Sequence, residues 1–162
     1  MLQFLTGESV LSARAGNSVP TLDRAESKID EFESLILWAM RQWMRAHRER
    51  CCATGSVLEA FEFSGLVAAL TPLNRMMTLL TLASRRRLAI ATSASAPLSI
   101  DELVLLRILN AARNGQRDVA ESRLGMWMET GNAAAAAQAA LSLAEAVYRP
   151  SRRAGCMATA ST

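Results

Sequence analysis

An all-α protein, a compact helical bundle of about six helices, is the fold class this sequence predicts, and three observations carry it. Apolar residues recur at spacings of three and four through successive stretches of the chain. No stretch alternates apolar and polar residues between hairpin-turn signals, as a half-buried strand would. The 8 glycines and 4 prolines gather at the ends of the periodic stretches, where helices start and stop. A hydrophobic content of 51% supplies a core, and with aromatics at 5% its filling falls to Leu, Ala and Met. At 162 residues one domain is expected. Residues 1–20 mix Gly, Ser, Asn and Pro without periodicity and read as a flexible arm, residues 21–150 as the helical domain, and residues 151–162 as a disordered tail.

The stretch TPLNRMMTLLTLASRRR, residues 71–87, is the predicted central helix. Thr71 suits the N-cap and Pro72 the first helical position, where a missing N–H is harmless. Leu73, Met76, Met77, Leu79, Leu80, Leu82 and Ala83 leave almost no polar face, so neighbours must cover it on most sides. Arg85, Arg86 and Arg87 fall near its C-terminal end, where cations favour the helix dipole; the helix is expected to run on to about residue 91.

The other elements follow in order. The first helix is expected over residues 22–49 behind Thr21. Ile29, Phe32, Ile36, Met40, Trp43 and His47 form one face, widened by Leu35, Ala39 and Met44. Its acids (Asp23, Glu26, Asp30, Glu31, Glu33) come early and its arginines (Arg41, Arg45, Arg48, Arg50) late, as the macrodipole prefers. Ser56 with Glu59 has capping-box spacing and starts a helix over residues 57–70. Residues 92–97 read as a linker. Ser99 with Glu102 is a second capping box, opening a helix to Arg113 that Asn114 and Gly115 stop. A helix over residues 117–129 buries Ala120, Leu124 and Trp127; Gly131 ends it. Asn132 then caps an alanine-rich helix, residues 133–149, with Leu141, Ala144 and Tyr148 inward and Pro150 as its stop.

The residue types needed for catalysis are sparse. His47 is the single histidine, with no cysteine or carboxylate at metal-ligand spacing, and is expected to be a partly buried or C-terminal-turn residue. The carboxylate pairs Glu59/Glu62 and Asp118/Glu121 have helix-surface spacing, and no Gly-rich phosphate loop or nucleophile elbow occurs. The expectation is no catalytic residue, no metal and no cofactor. Cys51, Cys52 and Cys156 form no disulfide framework and read as free thiols of a cytoplasmic protein. The opening MLQFL lacks a cationic region and a long apolar run, so no secretory signal is expected. The longest apolar stretch, residues 66–83, is interrupted by Pro72, Asn74 and Arg75, so no membrane span is expected either.

Leu98, Ser99, Glu102, Leu105, Leu106, Arg107 and Leu109, followed by Val119, Ala120, Leu124 and Gly125, resemble the helix-turn-helix of transcription regulators. The resemblance implies DNA binding. The segment MWMETGNAAAAAQ then stands where a recognition helix presents polar side chains, and alanine cannot hydrogen-bond base edges. Leu124, Gly125, Gly131, Asn132, Ala144 and Pro150 resemble one tetratricopeptide-type hairpin, which implies an antiparallel α-hairpin.

The function expected from these features is a non-enzymatic protein-interaction or regulatory module; the alternative is a DNA-binding regulator. The candidate interface is Leu37, Trp38, Met44, Arg45 and Arg48 on the first helix, for a protein partner or a second copy in a homodimer. The candidate basic patch is Arg85, Arg86 and Arg87, joined by Arg45 and Arg48. A net charge of +3 is too small to imply nucleic acid by itself.

Overall fold

The structure, a computed structural model, describes residues 29–148. The expected arm and tail, and the Thr21 cap, lie outside the described residues. Within them the chain forms six α-helices and no strand: α1 (Glu31–Glu49), α2 (Ala53–Phe63), α3 (Leu70–Leu82), α4 (Ile100–Arg113), α5 (Arg117–Gly125) and α6 (Thr130–Tyr148), with a 3₁₀ turn, Val67–Ala69, ahead of α3. The all-α bundle read from the periodicity is the fold observed.

Helix ends follow local chemistry more closely than apolar periodicity. Residues 29 and 30 are not helical: Asp30 is the cap of α1, in a full capping box with Glu33. α1, α2 and α4 then end in the same way. The N–H five residues on reaches back across the end in the pairs Cys51–Ala46, Leu66–Phe61 and Gln116–Ala111. This is the Schellman motif, which needs a left-handed residue. Gly65 (φ 68°) and Gly115 (φ 71°) supply it without strain; Arg50 (φ 55°) supplies it with a Cβ in the way.

Several expected boundaries are corrected. α2 starts at Ala53 behind Cys52, not behind Ser56, and stops at Phe63 because Gly65 closes it. α3 starts at Leu70, so Thr71 is not its cap and Pro72 lies at the third position, still within the turn whose N–H groups have no helical acceptor. α5 ends at Gly125, and a turn buries Trp127 and Met128 before α6 starts at Thr130; Asn132 and Gly131 are inside α6, not its cap and not a stop. The largest correction concerns α3, which ends at Leu82 rather than near residue 91. Beyond it Arg85 N–H donates to the Trp127 carbonyl, Ala89 N–H to Asp101 and Ala91 N–H to Glu102. Leu88 and Ile90 turn into the core from this non-helical segment. Tertiary acceptors replace the helical ones, and the three arginines leave the helix.

The central helix is α6, not α3. It packs against α3, α4 and α5 together, whereas α3 leaves Leu82 77% exposed. Ala133, Ala136, Ala137, Ala139, Ala140 and Ala144 are all buried along α6, and their small size lets Leu73, Met76, Met77 and Leu80 of α3 and Leu105, Ile108 and Leu109 of α4 close over it. α5 and α6 are joined by residues 126–129 and pack on one another, as the hairpin reading expected.

One polar cluster is sealed into this apolar interior. Arg41 of α1 and Glu102 of α4 form an ion pair at 2.8 Å, with side chains 4% and 0% exposed. Arg41 also donates to the carbonyls of Ser93, Ala94, Ala96 and Pro97. Glu102 further accepts the N–H groups of Ala91 and Ser99. Ser99 caps α4 and donates its hydroxyl to the Ala89 carbonyl. One guanidinium and one carboxylate therefore hold residues 91–99 to α1 and α4, while Asp101 and the Trp127 carbonyl hold residues 85–89.

Candidate functional site

Pinning that segment creates a cleft of about 580 Å³ between the last turns of α1, the end of α3 and residues 84–90. Met44, Leu80, Leu88 and Ile90 make its floor. Arg48, Arg85, Arg86 and Arg87 line it with His47 and Ser84. Arg48 and the three consecutive arginines, remote in sequence, therefore meet in one place.

Their commitments differ. Arg86 is engaged: it bridges to Asp101 at 2.6 and 2.9 Å and lies 5.6 Å from the Trp127 ring centroid. Hydrogen bonds from Arg86 hold the Asp101 carboxyl below its ordinary range against the upward push of desolvation, with the Ala89 N–H assisting. Arg48 gives one donor to the Ile90 carbonyl at 3.2 Å. Arg85 and Arg87 are exposed, and their guanidinium groups meet no acid among the described residues. The Ser84 hydroxyl is a buried oxygen without a hydrogen-bond partner among the described residues. The cleft thus combines an apolar floor with uncommitted positive charge, a surface complementary to an acidic segment that also carries apolar side chains.

The candidate interface on α1 does not form one surface. At about 100° per residue, Leu37, Met44 and Arg48 share a face while Trp38 and Arg45 share another a quarter-turn round. Met44 is buried in the cleft floor. Leu37 and Trp38 are half-buried and packed against the core. Arg45 is exposed and pairs along the helix with Glu49 at 3.1 Å, so it is not part of the cleft. His47 lies in the last turn of α1, stacked on Trp43 at 5.1 Å, and Trp43 donates to Asn74 of α3 at 2.8 Å.

Elsewhere the chemistry is structural. A smaller cavity of about 360 Å³ lies beside Arg113 and Tyr148. Arg113 covers the Tyr148 ring at 4.1 Å and reaches Asp30 at 3.4 Å, a clamp between the start of α1 and the ends of α4 and α6. Burial, then the nearby Asp30 and Glu33 charges, push the Tyr148 hydroxyl up to about 12. Cys51 and Cys52 are both exposed; hydrogen bonds from Thr54 and Gly55 draw the Cys52 thiol below its ordinary value. No group of His, Cys, Asp and Glu among the described residues is arranged to hold a metal ion, and none of their helices is long and apolar enough to cross a membrane.

Sequence reasoning found the three arginines and Arg48 but missed what gathers them: Arg41, Asp101 and Glu102. A signal was present. Arg41 stands among the buried positions of α1, between Met40 and Met44, where an unpaired charge is excluded. The acids Asp101 and Glu102 open α4 ahead of an apolar run. No protein-family model, no curated protein and no solved structure matches this chain.

Proposed function

We propose that this chain is a non-enzymatic interaction module of the cytoplasm that captures an acidic segment of a partner protein in the arginine-lined cleft. The observation that carries the reading is the convergence of Arg48, Arg85 and Arg87 on the apolar floor of Met44, Leu80, Leu88 and Ile90. An apolar floor supplies affinity through buried area, and the cations select sign and register. The test is fluorescence polarisation with a labelled peptide alternating valine and glutamate, against the same peptide with glutamine for glutamate. The acidic peptide binds, its affinity falls with salt, and Arg85→Glu with Arg87→Glu abolishes binding without changing the thermal midpoint. Equal binding of both peptides refutes the reading.

The DNA-binding reading keeps one supporting observation: residues 114–116, with left-handed Gly115, join α4 to α5 as tightly as a helix-turn-helix does. Against it, the exposed Arg117 and half-buried Arg123 of α5 share that short helix with Asp118 and Glu121, which leaves it no excess of positive charge for phosphates. Labelled duplex in the same assay separates the two, and sedimentation of the free protein tests self-association through the Trp38 side of α1.

A further inference from the structure

What kind of acid the cleft takes follows from its charge and its size. Four arginines line it and, among the described residues, no Asp or Glu does. Arg86 is balanced by Asp101, whereas Arg48, Arg85 and Arg87 are exposed and form no ion pair among the described residues. The space they border, about 580 Å³, suits one drug-sized molecule, which is a few residues of peptide. A carboxylate brings one charge per residue, so Asp and Glu could match three cations only by filling nearly every position the cleft admits. Little would then remain to cover the floor of Met44, Leu80, Leu88 and Ile90. A phosphoryl group removes the conflict. It places about 1.5–2 negative charges and three strong acceptor oxygens on one side chain, and its neighbours are free to be apolar.

The donors are also held before any ligand arrives. Arg85 N–H is tied to the Trp127 carbonyl at 2.7 Å. The Arg86 guanidinium, clamped by Asp101, donates to the Arg87 carbonyl at 3.3 Å. The backbone carrying Arg85 and Arg87 is therefore fixed at both residues, and less ordering remains to be lost on binding. Arg48 commits Nη2 to the Ile90 carbonyl, while its Nε and Nη1 donors have no partner among the described residues. Guanidinium forks match phosphate oxygens in pairs. We propose that the acidic segment carries a phosphorylated side chain, its phosphoryl group among Arg48, Arg85 and Arg87 and its apolar neighbours on the floor. This rests on the acidic-segment reading and names the acid.

The experiment uses the full chain and fluorescence polarisation with two end-blocked, valine-rich peptides of matched charge near neutral pH. One carries a single phosphoserine and the other two glutamates. The phosphoserine peptide is expected to bind at least about tenfold more tightly, the gain of one or two charge-assisted hydrogen bonds. Arg48→Gln narrows that gap, because the third cation serves the phosphoryl group. Equal affinity for the two peptides overturns the proposal: the cleft then counts charge alone, and the acidic-segment reading stands. Inorganic phosphate that displaces the phosphoserine peptide at concentrations near that peptide's Kd overturns it as well, since the ligand is then a free anion and no segment is read. If neither peptide binds, both readings fall.

Discussion

Replacing Arg41 by leucine tests the account of residues 91–99 most directly. The Glu102 side chain has no exposed surface, and Arg41 supplies its charge partner through two donors, at 2.8 and 2.9 Å. Removing one member of a buried pair leaves the other charge without compensation, which costs about 3–5 kcal/mol. The carbonyls of Ser93, Ala94 and Pro97 belong to exposed residues and turn to water, so they add little. At about 3–5 °C per kcal/mol for a domain of this size, the thermal midpoint followed by helical circular dichroism falls by roughly 10–20 °C. Adding Glu102→Gln to Arg41→Leu recovers roughly 2 kcal/mol, because the neutral amide keeps an oxygen for the Ala91 and Ser99 N–H groups and carries no bare charge. Acid gives an independent reading. Desolvation pushes the Glu102 carboxyl up, but the Arg41 hydrogen bonds, with those from the Ser99 and Ala91 amides, outweigh it and leave it below its ordinary value. A carboxyl lowered by folding contributes stability above its unfolded value, about 4.3, and loses it as pH falls through the folded one. The gap between wild type and Arg41→Leu therefore narrows below about pH 4. A single variant that loses less than about 1 kcal/mol, or a double variant no more stable than the single, refutes the reasoning.

Other changes have signs fixed by local geometry. Arg50→Gly stabilises by about 1 kcal/mol in urea unfolding, because Arg50 holds a left-handed conformation (φ 55°) that glycine adopts freely. Gly115→Ala does the reverse by a similar amount: its φ is 71°, and the added methyl meets no neighbour within 4 Å, so the loss measures backbone strain alone. Met76→Ala, at a residue with no exposed surface under α6, costs about 2–5 kcal/mol. Ala136→Leu, on the opposing face, costs about 1–3 kcal/mol by overpacking, and pairing it with Met76→Ala recovers part of both losses if the two positions share one space.

The helices were legible because their apolar periodicity is strong, and the Ser99–Glu102 box marked the start of α4 to the residue. What was not legible followed from acceptors supplied across the fold. Nothing local stops α3 at Leu82; the apolar run continues, and only the carboxylates of Asp101 and Glu102 and the Trp127 carbonyl draw residues 85–91 away from helical pairing. Thr71 and Ser56 looked like caps because their side chains suit the role, yet helices already underway pass through both positions. The three arginines were visible as a cluster, but their meeting with Arg48 depends on how α1 lies beside the non-helical segment after α3. α3 looked central because it is apolar nearly all round. α6 is central because it is small, a property that lowers its apparent hydrophobicity while letting neighbours close in.

That choice of central helix has a consequence for synthesis. The chain leaves the ribosome from its N-terminal end, and α6 is the last of the described helices to emerge. Until it does, Leu73, Met76, Met77 and Leu80 of α3 and the inner face of α4 have no surface to close on. The nascent chain therefore carries a long apolar face through most of its translation, and the bundle assembles in one late step. Truncations within α6 are expected to yield chains that chaperones retain, and a ribosome stall shortly before residue 130 should expose the same face to protease.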